Sequence, residues 1–128
     1  MGFDQYHEPP TDLPETTRTF ARMMASLTEE AEAINCYEQR LAVEKDRQAK
    51  AIMANAQKEE FKHFSMDLEF LLRRSPAWRE IAHGVLFRPG DIVEHGEEAE
   101  AEALEGDGPD QTAEDGSLGI RSLRGARR

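Results

Sequence analysis

The chain has 128 residues, 33% of them charged, with a net charge of -10 and a mean hydropathy of -0.72. That suffices for one small domain plus polar segments with little to bury, and the acidic balance excludes nucleic acid and anionic membrane as partners, since their phosphates require Lys and Arg. Cys36 is the single cysteine, so no internal disulfide is possible, and no apolar run is long enough for a signal peptide or a membrane span, so a cytoplasmic location is expected.

Charge is unevenly spread along the chain. Residues 91 to 116 hold eleven acidic residues and no Lys or Arg, residues 117 to 128 hold four Arg and no acid, and the rest is close to balanced.

Residues 1 to 11, "MGFDQYHEPPT", read as an extended arm bearing prolines. A helical domain is expected over residues 12 to 104, starting at "TDLPE" with Asp12 as N-cap, Pro14 in the first turn and Glu15 at the third helical position. From Glu15 to Arg74 there are sixty residues without Gly or Pro, about 90 Å of helix if continuous. The run is either one coiled-coil rod or two helices joined by a turn that neither Gly nor Pro marks. Its seams mix Met, Ala, Phe and charge rather than Leu, which favours a hairpin, and the apolar content thins at "EKDRQ", residues 44 to 48.

The second helix should stop at Ser75 and Pro76, because proline disfavours helical geometry in the residue before it. "AWREIAHGVLF" predicts a short third helix and "DIVEHGEEAEAEALE" a fourth, acidic and frayed. Residues 105 to 115 then form an acidic linker with nothing to bury, and residues 116 to 128 place Leu118, Ile120 and Leu123 as isolated apolar anchors, the form of a docking peptide that orders on binding.

Polar residues stand where this pattern calls for apolar ones. On the first helix, positions 23, 27, 30, 34, 37 and 41 read Met, Leu, Glu, Ile, Tyr, Leu, so Glu30 interrupts an apolar stripe, while Glu29 and Glu32 fall off it on the face of Cys36. On the second helix, positions 49, 53, 56, 60 and 63 read Ala, Met, Ala, Glu, His. A Glu three residues before a His is weak by itself. With 18 Glu in the chain, each His has roughly a one in seven chance of it, and Glu80 with His83 repeats the spacing.

The fold separates the two pairs. With the turn at residue 45 or 46, residues whose numbers sum to about 91 lie opposite each other, so Glu30 comes level with Glu60 and His63, whereas Glu80 and His83 have no counterpart. Two carboxylates and an imidazole suit a divalent metal; the alternative is a polar layer in which Glu60 pairs with Lys62 or another Lys and His63 is a satisfied core histidine. Three donors leave a metal incompletely held. Ferritin-like centres use a Glu from each of two helices and a Glu-x-x-His from each of two more, so a two-fold homodimer of this hairpin would supply the full set around two metals.

At this point "HEP" near the start, "EEAEAINCYEQR", "EEFKHFSMDLEFLLRRSP" and the tail "DGSLGIRSLRG" together resemble the encapsulated ferritins, ferritin-like proteins carried inside encapsulin shells. The resemblance covers most of the chain. It implies an all-α fold, an antiparallel two-helix hairpin with short C-terminal helices that forms a ferritin-like four-helix bundle by dimerisation, with dimers arranged in a decameric ring. It also implies a ferroxidase that turns Fe(II) into Fe(III) at a di-iron centre between subunits, for mineral storage inside an encapsulin nanocompartment reached through residues 116 to 128 as targeting peptide. By position, Glu30, Glu60 and His63 match the iron ligands and Tyr37 a tyrosine close to the centre. Glu29 and Glu32 match acidic residues of an uptake site for calcium or another divalent cation. Cys36 departs from the pattern, standing where the family usually has Trp before the tyrosine.

His7, His83 and His95 read as surface or structural, and Trp78 as packing. A reading from a different class is a non-catalytic helical cargo or adaptor that oligomerises and docks to the shell, its polar layer serving only to fix helix register.

Overall fold

The structure is a computed structural model in which residues 5 to 105 are described. Within them lie a short 3-10 turn, Pro10–Asp12, and four α-helices: α1 (Glu15–Val43), α2 (Arg47–Arg73), α3 (Pro76–Val85) and α4 (Ile92–Glu105), with no strand among the described residues. The all-helical expectation holds. The expected linker from residue 106 onward, the docking peptide at 116 to 128 and the first four residues of the arm lie outside the described residues.

The entry into α1 corrects the expected cap. Asp12 sits inside the 3-10 turn, its amide bonded to the Pro9 carbonyl at 2.9 Å, and Pro14 is the N-cap instead. Proline explains the shift: Leu13 precedes Pro14 and is held extended at φ -100°, ψ 137°, so no helix can run through it from Asp12. Pro14 then offers its carbonyl to the amides of Thr17 and Arg18.

The α1 to α2 turn occupies residues 44 to 46, within the stretch where apolar content thins. Acidic side chains make it, in place of Gly or Pro. One Glu44 carboxylate oxygen accepts the amides of Lys45 and Asp46 at 3.1 and 2.9 Å, and Asp46 accepts the Ala49 amide at 2.8 Å, which satisfies a donor that the start of α2 would otherwise leave open.

The two long helices run antiparallel. Buried Gln57 pins their register by donating from Nε2 to the Ile34 carbonyl (3.2 Å) and to Glu38 Oε1 (3.0 Å). Residues 34 and 57 sum to 91, the register expected from the sequence. Packing within this hairpin is nonetheless thin: α1 has no buried residue, and Val43, Ile52, Phe61 and Met66 are exposed.

The chain divides into two compact units between Leu71 and Leu72. In the second, α3 begins at Pro76, in the first helical position where its missing donor costs nothing. The α4 helix is regular rather than frayed, since Asp91 accepts the Glu94 amide at 2.9 Å and Ala99 and Ala103 are buried. His95 has the structural role expected of it, donating from Nε2 to the Pro89 carbonyl at 2.8 Å.

The two helices of this unit meet at Gly84, where an added Cβ would lie 2.6 Å from the Ala99 Cβ. Gly84→Ala should therefore destabilise the protein, because overpacking of about 1–3 kcal/mol outweighs a helix-propensity gain of at most about 1 kcal/mol. Denaturant unfolding measures it. Combination with Ala99→Gly should cost less than the two single changes added together.

Candidate metal centre

Glu30 on α1 and Glu60 and His63 on α2 come together in the hairpin, one ligand atom from each lying within 4.8 Å of the others. The spacing of Glu60 and His63 puts them on one face of α2, and the Gln57 register brings Glu30 level with that face. His63 Nδ1 is 3.4 Å from Glu60 Oε1, and these side chains are 44% and 25% exposed. The group is therefore open on one side, and any ion held there meets atoms from outside the hairpin as well.

The charges acting on the Glu30 carboxyl are those of Asp67, Glu60 and His63, with no Lys or Arg among them. Lys62 pairs with Glu59 at 2.8 Å and holds that carboxyl below the ordinary range, so it is not the partner of Glu60 that a plain polar layer would use. Glu30 Oε1 is buried and without a hydrogen-bond partner. The Glu30 carboxyl is pushed up from 4.5 to about 7, first by burial, then by a hydrogen bond to Asp67 and the charges of Asp67 and Glu60, against a smaller lowering by His63. A carboxyl in such surroundings needs a proton or a cation. Two carboxylates and an imidazole within 4.8 Å, one oxygen of them orphaned, fit a divalent metal ion.

Other expected residues fall elsewhere. Glu29, Glu32 and Cys36 are exposed, and neither of these two glutamates joins the group around Glu30. Tyr37 is half-buried, with the Arg40 guanidinium carbon 5.4 Å from its ring centroid. Glu80 and His83 line an open cleft of about 630 Å³ with Arg79, Arg88 and Glu102, a setting of mixed charge without a third donor gathered on them.

Sequence reading missed Asp67 and Gln57. Asp67 contacts Glu30 and has a buried oxygen, Oδ2, without a hydrogen-bond partner. Its signal was present, four residues beyond His63 and seven beyond Glu60, continuing the stripe past the point where reading stopped at His63.

A hairpin with facing Glu and Glu-x-x-His is the half-set of a ferritin-like helical protein. Comparison with known proteins narrows the class. The EncFtn-like family model matches residues 5–89, and the chain belongs to that family. It is 41% identical over 124 residues to the encapsulated ferritin-like protein of Rhodospirillum rubrum, covering 93% of this chain and 87% of that one. It is 39% identical over 120 residues to the ferritin-like protein of Thermotoga maritima, covering 94% and 98%. The crystal structure of a protein from Nitrosomonas europaea matches with a TM-score of 0.68 at 39% identity, over 70% of this chain and 99% of that one.

The raised Glu30 carboxyl sets a pH dependence in the metal-free protein. Below pH 4.5 it is protonated whether the chain is folded or not; as pH rises toward 7 the unfolded chain ionises first, so the folded state loses stability until pH passes about 7. Glu30→Gln, neutral throughout, should therefore be more stable than the unaltered chain at pH 8, by on the order of 1 kcal/mol after solvent screening, and gain little at pH 4. Urea unfolding with chelator present, at both pH values, measures the difference.

Proposed function

We propose that the protein is a ferroxidase whose centre forms between two copies of the chain, and that it works inside an encapsulin shell. One observation carries the reading: Glu30, Glu60 and His63 gather across the hairpin, with a buried carboxylate oxygen left without a partner. The family and the relative called an encapsulated ferritin-like protein support iron as the metal and the shell as the setting.

Ferrous iron is the substrate. Two hairpins related by a two-fold would offer two each of Glu30, Glu60 and His63 to two ferrous ions, each ion giving up one electron to dioxygen while the carboxylates stabilise the more highly charged product. Pairing is supported by the hairpin itself, since α1 buries no residue and Phe61 and Met66 on α2 are exposed. Further assembly of dimers into a decameric ring follows from the family resemblance. Tyr37 would stand beside the centre to orient a ligand or pass an electron. The exposed Glu29 and Glu32, off the stripe, would attract incoming cations such as calcium or iron.

Fe²⁺ oxidation in air, followed spectroscopically, tests the reading. Glu30→Ala, Glu60→Ala and His63→Ala should each slow it by about tenfold or more. Rates equal to that of the unaltered protein would leave a non-catalytic cargo or adaptor as the function. Size-exclusion adds a check on pairing: Fe²⁺ should promote assembly, and Glu60→Ala should lose that response.

Docking is tested apart from catalysis. Deleting residues 116 to 128 should abolish co-purification with a co-expressed encapsulin shell and leave Fe²⁺ oxidation intact; retained encapsulation would rule out the tail as the targeting peptide.

A further inference from the structure

Asp67 is the acidic side chain at this centre that the ligand set above leaves unused. It stands on α2 four residues beyond His63 and seven beyond Glu60, so helical periodicity puts all three on one face. Its carboxyl acts on that of Glu30, on the other helix, through a hydrogen bond and through its charge. Each of the two carboxyl groups has one buried oxygen without a partner, Glu30 Oε1 and Asp67 Oδ2. Asp67 lies outside the set of ligand atoms within 4.8 Å that joins Glu30, Glu60 and His63, so it approaches through Glu30 rather than between Glu60 and His63.

Two buried, unpartnered carboxylate oxygens on interacting side chains are costly in a hairpin and useful in a cation site. Glu30 and Glu60 alone match the charge of one divalent ion per hairpin, and Asp67 adds a further negative charge beside Glu30. We propose that Asp67 is a further carboxylate of the metal centre, joining Glu30 in holding the cation and setting how tightly it is held. This rests on the reading of Glu30, Glu60 and His63 as ligands. A structural neighbour of Glu30 would need only shape and a hydrogen bond, which asparagine keeps; a charged donor needs the carboxylate, which glutamate keeps.

The test uses the full chain, stripped of metal with chelator and titrated with Co²⁺, which is stable in air and reports its ligands through visible absorption. Binding is read by calorimetry and by the absorption band for the unaltered protein, Asp67→Asn, Asp67→Glu, Glu60→Ala and His63→Ala. Asp67→Asn should weaken Co²⁺ binding by about tenfold and alter the band, with Asp67→Glu recovering most of the affinity. Without metal, Asp67→Asn should melt no lower than the unaltered protein, because it removes a repulsion beside Glu30. Weaker metal binding without lower metal-free stability is a combination that loss of a merely structural contact would not give.

Unchanged Co²⁺ affinity and spectrum in Asp67→Asn, with binding still weakened by Glu60→Ala and His63→Ala, would overturn the role of Asp67 alone. Lower metal-free stability in Asp67→Asn together with weaker binding would assign Asp67 to structure and overturn it as well. Co²⁺ binding indifferent to Glu60→Ala and His63→Ala would overturn the reading of the centre and the Asp67 proposal with it.

Discussion

Carboxylates facing each other between two helices repel, and the hairpin sets Glu30 against both Glu60 and Asp67, beside a single imidazole. Burial sharpens the conflict by withdrawing the water that would screen it. The nearby Lys62 is engaged with Glu59 and gives no relief. The remaining remedies are a proton or a metal ion, and burial with neighbouring carboxylates pushes the Glu30 carboxyl up to about 7, which favours the proton when no cation is present.

That conflict persists only because the backbone enforces it. Gln57 fixes α2 against α1 through the Ile34 carbonyl and Glu38, and a slip of one residue would rotate Glu60 and His63 by about 100° off the shared face. The Glu44 and Asp46 caps hold the turn that sets the same register from the other end. Apolar packing contributes less to this precision than polar hydrogen bonds do, since α1 buries no side chain fully. A hairpin so lightly packed and so specifically registered is the physical basis for placing the proposed centre between chains.

Periodicity made the hairpin legible in the sequence, along with the level at which its polar residues meet. Glu30, Glu60 and His63 were found because each interrupts an apolar stripe. Asp67 lies past the recognisable Glu-x-x-His on the same stripe, and its spacing alone does not distinguish it from a solvated acidic residue. The start of α1 was misplaced for a different reason: Asp12 has the chemistry of an N-cap, but Pro14 two residues on forces Leu13 to be extended and moves the cap. The turn at 44 to 46 lacked Gly and Pro, and its signal lay in Asp46, an N-cap residue in a run otherwise read for composition.

Glu29, Glu30 and Glu32 show how little residue type alone decides. All three are glutamates within one turn of α1, yet Glu29 and Glu32 are exposed while Glu30 has an oxygen sealed from solvent. A helix turns about 100° per residue, so adjacent positions cannot share a face, and only the one that meets α2 acquires neighbours able to shift its chemistry. The neighbouring glutamates keep their contact with water. One short sequence can thereby present a solvated acidic face and, a single residue away, a carboxyl with a desolvated oxygen. Cys36, exposed and outside the group around Glu30, belongs to the first of these environments.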